Sequence, residues 1–312
     1  MLASSENPLL VIIGPTASGK SALAMELAKR RGGALLSVDS MQVYRGMDIG
    51  TAKPTAAEQR EVRHLLIDLV PPNEPFTVAR FVDEADAAIA SAAAERTTLV
   101  ATGGTPLYYK ALFEGLFEGP PADPELRERL GNQPADERYA KLMLVDPVAA
   151  ARIHRNDERR TIRALEVYEL TGKPISSFQT DWTADGASQR HAAKWFGLNW
   201  EKDELNRRIN ARVKQMIEMG WVEETRDLLE TYGDLSQTAA EATGYREIID
   251  HIQGRMSLTD AVEQIKIATR QLARRQMKWF RRFPNVTWLN GAQPIEALVQ
   301  RVEAEVQITG KE

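Results

Sequence analysis

Residues Gly14-Pro15-Thr16-Ala17-Ser18-Gly19-Lys20-Ser21 constrain this chain more than any other segment. They read G-x-x-x-x-G-K-[ST], between the apolar run Leu9–Ile13 and a helical pattern over Lys20–Arg31 that puts Leu23, Ala24, Leu27 and Ala28 on one face. Strand, glycine-rich loop and helix in that order predict a phosphate site. The glycines let the backbone curl, so that successive N–H groups face inward. The helix then directs its positive end to the same point. Lys20 adds a cation, and the Ser21 hydroxyl is placed to ligate a magnesium ion held by phosphates. A bound di- or triphosphate is expected.

The pattern continues as alternating strands and helices. Gly32-Gly33 ends the first helix, and Ala34–Val38 reads as a second strand closing on Asp39-Ser40. Leu65–Leu69 reads as a short third strand, Val78–Ala94 as an alanine-rich helix, and Thr97–Ala101 as a strand leading into Thr102-Gly103-Gly104-Thr105. A helix follows from Pro106, since proline is tolerated in a first turn. Such alternation predicts an α/β fold, a parallel sheet with crossover helices. Ligands of these sheets sit beyond the carboxyl ends of the strands, where the phosphate loop, Asp39-Ser40 and Gly103–Thr105 should converge.

The texture changes near Gly115. Pro120-Pro121 and Pro124 introduce helical patterns up to about Gly172, Ser176–Arg190 reads as polar loop, and Ala193–Leu198 reads as strand again. We therefore expect a mainly helical insertion over 118–190 within a core made of 1–117 and 191–312. From Lys202 onward the pattern is helical until a final strand at Val286–Leu289.

The chain has 312 residues, 43% of them hydrophobic, with net charge −4, four histidines and no cysteine. Disulfides, thiolate nucleophiles and cysteine-based zinc sites are thereby excluded. No apolar run is long enough for a membrane helix and Met1–Pro8 carries no basic leader, so a cytoplasmic location is expected. The total charge does not point to nucleic acid, but its distribution does. Lys266 to Arg282 holds seven basic residues and no acid, with Arg270, Arg274, Lys278 and Arg281 on one helical face and Val262, Ile265, Thr269, Leu272, Gln276 and Trp279 as a largely apolar seam. Arg152–Arg163 is a second basic helix, with Arg155, Arg159 and Arg160 against Asp157 and Glu158, and Arg208 and Arg212 form an i, i+4 pair. Arginine-rich helices around a phosphate site suit a polyanionic co-substrate, although a solvated basic face gives the same pattern.

Nucleotide hydrolases of the phosphate-loop type carry a strand ending in Asp that holds the magnesium shell. Here Thr97–Ala101 ends in Thr-Gly-Gly-Thr instead, and the acid at a strand end is Asp39. Asp39 is placed to serve as a metal ligand, as a base toward an acceptor nucleophile, or as a turn cap. Group transfer with a phosphate or diphosphate leaving fits this better than hydrolysis.

Taken in order, these strings resemble the tRNA dimethylallyltransferase family. The resemblance rests on the phosphate loop, Ser37–Tyr44, Gly46–Pro54, His64–Asp68, Gly103–Tyr108, Asp146-Pro147, Arg163–Tyr168, Gly244-Tyr245-Arg246 and Thr269–Gln276. It implies transfer of a dimethylallyl group from dimethylallyl diphosphate to N6 of adenosine 37, next to the anticodon, in a target base flipped out of its stack. It also implies a phosphate-loop nucleotide-hydrolase-like sheet with an inserted helical domain that clasps the anticodon stem-loop. Asp39 would be the base, and Thr105, Lys20 and Arg212 would complete the catalytic set. The diphosphate would lie on Gly14 and Thr16–Ser21 with Arg208 and Arg212, and Mg2+ near Ser21. RNA contacts would fall on Asp39, Ser40, Met41, Gln42, Thr105, Arg127, Arg159, Arg160, Arg163, Gly244, Tyr245, Arg246, Arg274, Arg275, Lys278 and Arg281. Family members often have Gln where Arg159 stands. A monomer acting on soluble substrates is expected.

Three other readings compete. A small-molecule kinase would use the same loop for a nucleoside triphosphate. An isopentenyltransferase acting on free AMP would lack the insertion and the basic helix. A non-catalytic RNA-binding regulator would not need Asp39 beside an intact phosphate loop.

Overall fold

The computed structural model describes residues 9–115, 119–178 and 190–308. Two compact units emerge, Met1–Phe113 with His191–Glu312, and Glu114–Arg190. The second unit thus begins four residues before the boundary read from the sequence. The segment read as polar loop lies mostly outside the described residues.

In chain order the first unit opens with β1 (Leu9–Ile13), α1 (Lys20–Arg30), β2 (Ala34–Ser37), α2 (Ala56–Glu61), β3 (Arg63–Leu65), α3 (Val78–Ala94), β4 (Leu99–Thr102) and α4 (Pro106–Glu114). The second unit holds α5 (Pro124–Gly131), α6 (Ala135–Val145), α7 (Pro147–Ala150), α8 (Glu158–Thr171) and α9 (Ile175–Phe178). The first unit then resumes with β5 (Ala193–Asn199), α10 (Lys202–Glu218), α11 (Trp221–Tyr232), α12 (Gln237–Ala240), α13 (Tyr245–Ile252), α14 (Leu258–Phe280), β6 (Val286–Asn290) and α15 (Ile295–Ile308).

The six strands form one parallel sheet in the order β3-β2-β4-β1-β5-β6. Strand β1 is central and buried along its whole length, as expected where helices cover both faces. Alternation sorts its side chains. Leu10 and Ile12 join Leu23 and Leu27 of α1 and Leu298, Val299 and Val302 of α15. An aromatic cluster holds α4 and α14 to β5. Trp195 stacks on Phe283 at 5.2 Å between ring centroids, Phe113 meets Trp195 edge-on at 4.7 Å, and Tyr109 meets Phe280 at 6.0 Å.

The third strand lies at Arg63–Leu65, two residues before the expected Leu65–Leu69. Leu66 and Asp68 take positive φ angles of 64° and 56°, which no strand accommodates. Asp68 is held in that bend by Lys53, whose buried ammonium lies 2.6 Å from Asp68 Oδ1 and 2.6 Å from Asp48 Oδ1, and donates to the Tyr44 carbonyl at 2.7 Å.

The helical unit packs around its own core of Leu126, Leu130, Leu142, Ala164, Leu165 and Ile175. Glu166 is fully buried there. It accepts from Arg127 Nε at 2.8 Å and Nη2 at 3.0 Å, from the Asp123 amide at 2.8 Å, and from Arg163 at 2.5 Å. Burial pushes this carboxyl up, but the hydrogen bonds from Arg127, Arg163 and Asp123 outweigh it and hold the group below its ordinary value.

Candidate active site

The loop after β1 is shaped by two left-handed residues, Ala17 at φ 62° and Gly19 at φ 90°, before α1 begins. Its outer carbonyls are held from behind. Trp200 Nε1 donates to the Ser18 carbonyl at 2.9 Å and Arg208 Nε to the Ala17 carbonyl at 2.9 Å. The Arg208 guanidinium also lies 4.3 Å above the Trp200 ring centroid. A trans peptide directs its C=O and N–H oppositely, so anchoring the Ser18 carbonyl turns the Gly19 amide away from Trp200.

Lys20 heads α1, is buried, and donates weakly to the Pro15 carbonyl at 3.4 Å. Burial, followed by the charge of Arg212, pushes its ammonium down to about 8, while Asp39 opposes the shift. Arg212 is pushed below its ordinary value by burial, with Asp39 opposing and Arg208 adding. An anion lying between Lys20 and Arg212 would relieve both cations.

Asp39 stands where β2 ends. Its Oδ1 accepts from the Met41 amide at 2.9 Å and its Oδ2 from the Gly104 amide at 3.2 Å. The capping role is therefore real, and it orients a carboxylate that also lines the cavity. The loop after β4 comes close because residue 103 lacks a side chain: a Cβ there would sit 2.1 Å from the Val38 carbonyl oxygen. Thr105 Oγ1 accepts from the Ser40 amide at 2.9 Å and donates to Ser40 Oγ at 3.1 Å. Gln42 is turned to its own segment, accepting from Ser37 Oγ at 2.8 Å and donating to the Thr51 and Ala52 carbonyls.

These groups surround a cavity of about 290 Å³. One end is lined by Thr16, Lys20, Ser21 and Arg212, with Asp39, Ser40, Gly104 and Thr105 beside it. Helices α10 and α14 supply apolar residues to the wall, Ile209, Val213, Met216, Ile265 and Leu272, beside the polar Thr269 and Gln276. Cationic floor, carboxylate and apolar wall in one cavity suit an anionic ligand with a hydrocarbon tail.

Other expected residues lie elsewhere in their units. Arg208 buttresses the back of the phosphate loop. Tyr245 is fully buried, its ring edge-on to Trp221 at 5.5 Å and its hydroxyl donating to Glu224 at 2.7 Å, so it cannot touch RNA directly. Gly244 has φ 102° and faces Trp221. Arg246, the residue after Tyr245, is exposed. On α14, Arg274, Arg275 and Lys278 are exposed, as is Arg281 just beyond it, whereas Arg270 donates to Asn210 Oδ1 at 2.6 Å and ties α14 to α10. In the helical unit Arg159 and Arg160 are exposed, Arg160 lying 3.5 Å from Asp157. Arg127 and Arg163 are the cations that neutralise Glu166, an internal task the sequence did not reveal.

Three contributors escaped sequence reasoning. Trp200 braces the phosphate loop. Glu224 accepts from the amides of Asp48, Ile49 and Gly50 at 2.9, 2.5 and 3.2 Å, fixing the loop beyond Gln42. Gln276 accepts from the Thr16 amide at 2.8 Å and donates to the Gly104 carbonyl at 2.7 Å. The trace it leaves in the sequence is a polar residue inside an otherwise apolar seam.

A central strand feeding a phosphate loop, with a carboxylate across the same cavity, defines a phosphate-loop enzyme of the group-transfer class. The IPP transferase family model matches residues 42–283, and the chain belongs to that family. It is 44% identical over 306 residues to a tRNA dimethylallyltransferase from Geobacter metallireducens, covering 97% of this chain and 98% of the relative. The corresponding protein from Pelotomaculum thermopropionicum is 42% identical over 96% and 97% of the two chains. Among solved structures, the full-length tRNA isopentenylpyrophosphate transferase from Bacillus halodurans has TM-score 0.71 and 38% identity, covering 98% and 99%. A eukaryotic dimethylallyltransferase acting on tRNA has TM-score 0.78 and 27% identity, covering 92% of this chain and 74% of that one.

Proposed function

We propose that the chain transfers the dimethylallyl group of dimethylallyl diphosphate to N6 of adenosine 37 in tRNA. Family membership makes it a tRNA-prenylating transferase. The observation that carries the finer reading is that Asp39, the loop cations and an apolar wall share one cavity.

The N6 nitrogen attacks the allylic carbon while that carbon's bond to the diphosphate oxygen breaks. A proton passes from N6 to Asp39, and diphosphate leaves. The exocyclic amine is a weak nucleophile, so orientation and stabilisation of the departing charge supply most of the acceleration. Asp39 is held for this by the Met41 and Gly104 amides. Thr105, tied to Ser40, fixes the neighbouring loop. Lys20, Arg212 and the loop amides meet the leaving charge. The apolar residues of α10 and α14 exclude water from the isoprenoid tail.

Magnesium fits through the ligand rather than through a cage. Among the described residues no group of three or more His, Asp or Glu converges to hold an ion. The Ser21 hydroxyl is exposed at the cationic end, where Mg2+ held by Ser21 and the diphosphate would neutralise leaving-group charge. The basic residues of α14 and Arg246 supply phosphate contacts to the anticodon stem-loop. No described helix is long and apolar enough to cross a membrane. A cytoplasmic location and a monomeric state are part of the proposal.

The kinase reading is disfavoured because β4 ends at Thr102 and runs on into Gly103-Gly104-Thr105, with no carboxylate at that strand end for a nucleotide-bound metal. Incubation with unmodified tRNA and dimethylallyl diphosphate, followed by nucleoside mass spectrometry, should reveal prenylated adenosine. Transfer of γ-phosphate from ATP without prenylated product would overturn the assignment.

A further inference from the structure

We infer that Gln276 is a positioning residue that locks the phosphate loop to the loop carrying the base, and so fixes the separation of leaving group and proton acceptor. The inference rests on the roles given above to the phosphate loop and Asp39.

The two partners of Gln276 belong to different loops, and each offers one kind of group. The Thr16 amide can only donate and the Gly104 carbonyl can only accept. A neutral primary amide satisfies both at once. Its orientation is set by those backbone partners, with Oε1 toward Thr16 and Nε2 toward Gly104. The side chain is buried, so unmet partners there are costly. Gly104 is itself shaped for this approach, because a Cβ at that position would lie 2.7 Å from Gln276 Nε2 and 3.2 Å from Asp39 Oδ2. The path continues through the Gly104 amide, which donates to Asp39 Oδ2. One side chain of α14 therefore links the donor site to the base through a single residue.

Two consequences separate this role from simple packing. The Thr16 amide is committed to Gln276 and the Ser18 amide to the Pro15 carbonyl, so the diphosphate is held by the amides from Gly19 onward, Lys20 and Arg212, and losing Gln276 should leave diphosphate affinity intact. The alignment of base and leaving group should suffer instead, which appears in kcat. Gln276 also sits in the helix that carries exposed Arg274, Arg275 and Lys278, so RNA seated on that helix is in register with both loops.

The test uses the full chain with Gln276→Met and Gln276→Glu. Turnover is measured on an anticodon stem-loop RNA with varied dimethylallyl diphosphate. Gln276→Met should lower kcat about tenfold to a hundredfold, with KM for the diphosphate and RNA affinity unchanged. Full kcat, or a loss confined to KM, overturns the inference. Gln276→Glu sets a carboxylate against the Gly104 carbonyl, but its protonated form again donates there while accepting from Thr16. Its kcat relative to wild type should recover as the pH falls, and a flat ratio overturns the inference. Asp39 from the β2 loop, Lys20 from α1, Arg212 from α10, and Tyr108 and Tyr109 from α4 lie around the site, and Lys53, Glu58, His64 and Glu241 also line the cavity. Their own titration is common to both proteins, while the like charge of Asp39 favours the protonated form of a carboxylate at 276, the form that restores the donor. Should the variants fail to fold, single-residue hydrogen exchange on the wild-type chain decides. The Thr16 amide should exchange slowly before inorganic pyrophosphate is added, and rapid exchange there overturns the inference. An inactive wild-type chain would instead refute the proposed reaction.

Discussion

Asp39→Asn separates the chemical role of this carboxylate from its structural one. Asparagine keeps an acceptor for the Met41 amide, now 2.9 Å from Oδ1, but turns an NH2 toward the Gly104 amide, now 3.2 Å from Oδ2. One hydrogen bond is lost, a stability cost of about 0.5–1.5 kcal/mol. Removing a general base costs about 10²- to 10⁴-fold in rate, or about 2.7–5.4 kcal/mol of barrier at 1.36 kcal/mol per decade. The chemical effect should therefore exceed the structural one several-fold, and the two are read by different instruments. Single-turnover transfer of labelled dimethylallyl to stem-loop RNA, with both substrates saturating, should slow by at least a hundredfold. Thermal unfolding should shift by a few degrees, and RNA affinity should hold. A rate within tenfold of wild type, with folding and binding intact, would refute Asp39 as the base and leave the turn cap as its whole role.

The remaining expectations concern charge and anchoring. The Glu166 carboxyl is held below its ordinary value, so its ion pairs add stability above pH 4.5, which is lost as the pH falls through the depressed folded value. Gln at 166 should remove that component of acid unfolding, and an unchanged acid limb would count against it. Arg274→Ala should weaken tRNA binding and lower the slope of log K against log salt by about 0.7–0.9, whereas an unchanged slope would exclude a phosphate contact. Glu224→Ala leaves three amides and the Tyr245 hydroxyl without their acceptor and should cost about 1–3 kcal/mol in urea unfolding; no loss of midpoint would show that the loop over 48–50 is held otherwise.

What the sequence disclosed follows from how local each determinant is. The phosphate loop was legible because strand, glycines and helix are contiguous, and β1, β2, β4 and β5 were placed within two residues because apolar runs and glycine punctuation set them. Strand β3 was displaced because its end depends on Lys53 reaching Asp68, fifteen positions away. Gly244-Tyr245-Arg246 read as an RNA contact, yet two of its three residues serve Trp221 and Glu224, partners from a separate helix. The basic face of α14 was visible as spacing, but Arg270 was not distinguishable from Arg274 until Asn210 claimed it.

The catalytic centre divides along the same line. Each reactive group announces itself within a few residues: Lys20 and Ser21 in the loop, Asp39 at a strand end, Thr105 after a glycine pair. Their mutual placement is set by side chains with no local mark. Gln276 bonds residues 260 and 172 positions away, and Arg208 and Trp200 brace the loop from 191 and 182 positions away. An adenosine amine and an allylic carbon react only when held near contact, so those distant contacts decide the rate although they carry none of the chemistry. Substitutions at Asp39 should accordingly act on the proton transfer, and those at Gln276 on alignment. Both lower kcat, but only the glutamate variant at 276 regains it on acidification, because protonation restores the donor that the Gly104 carbonyl requires.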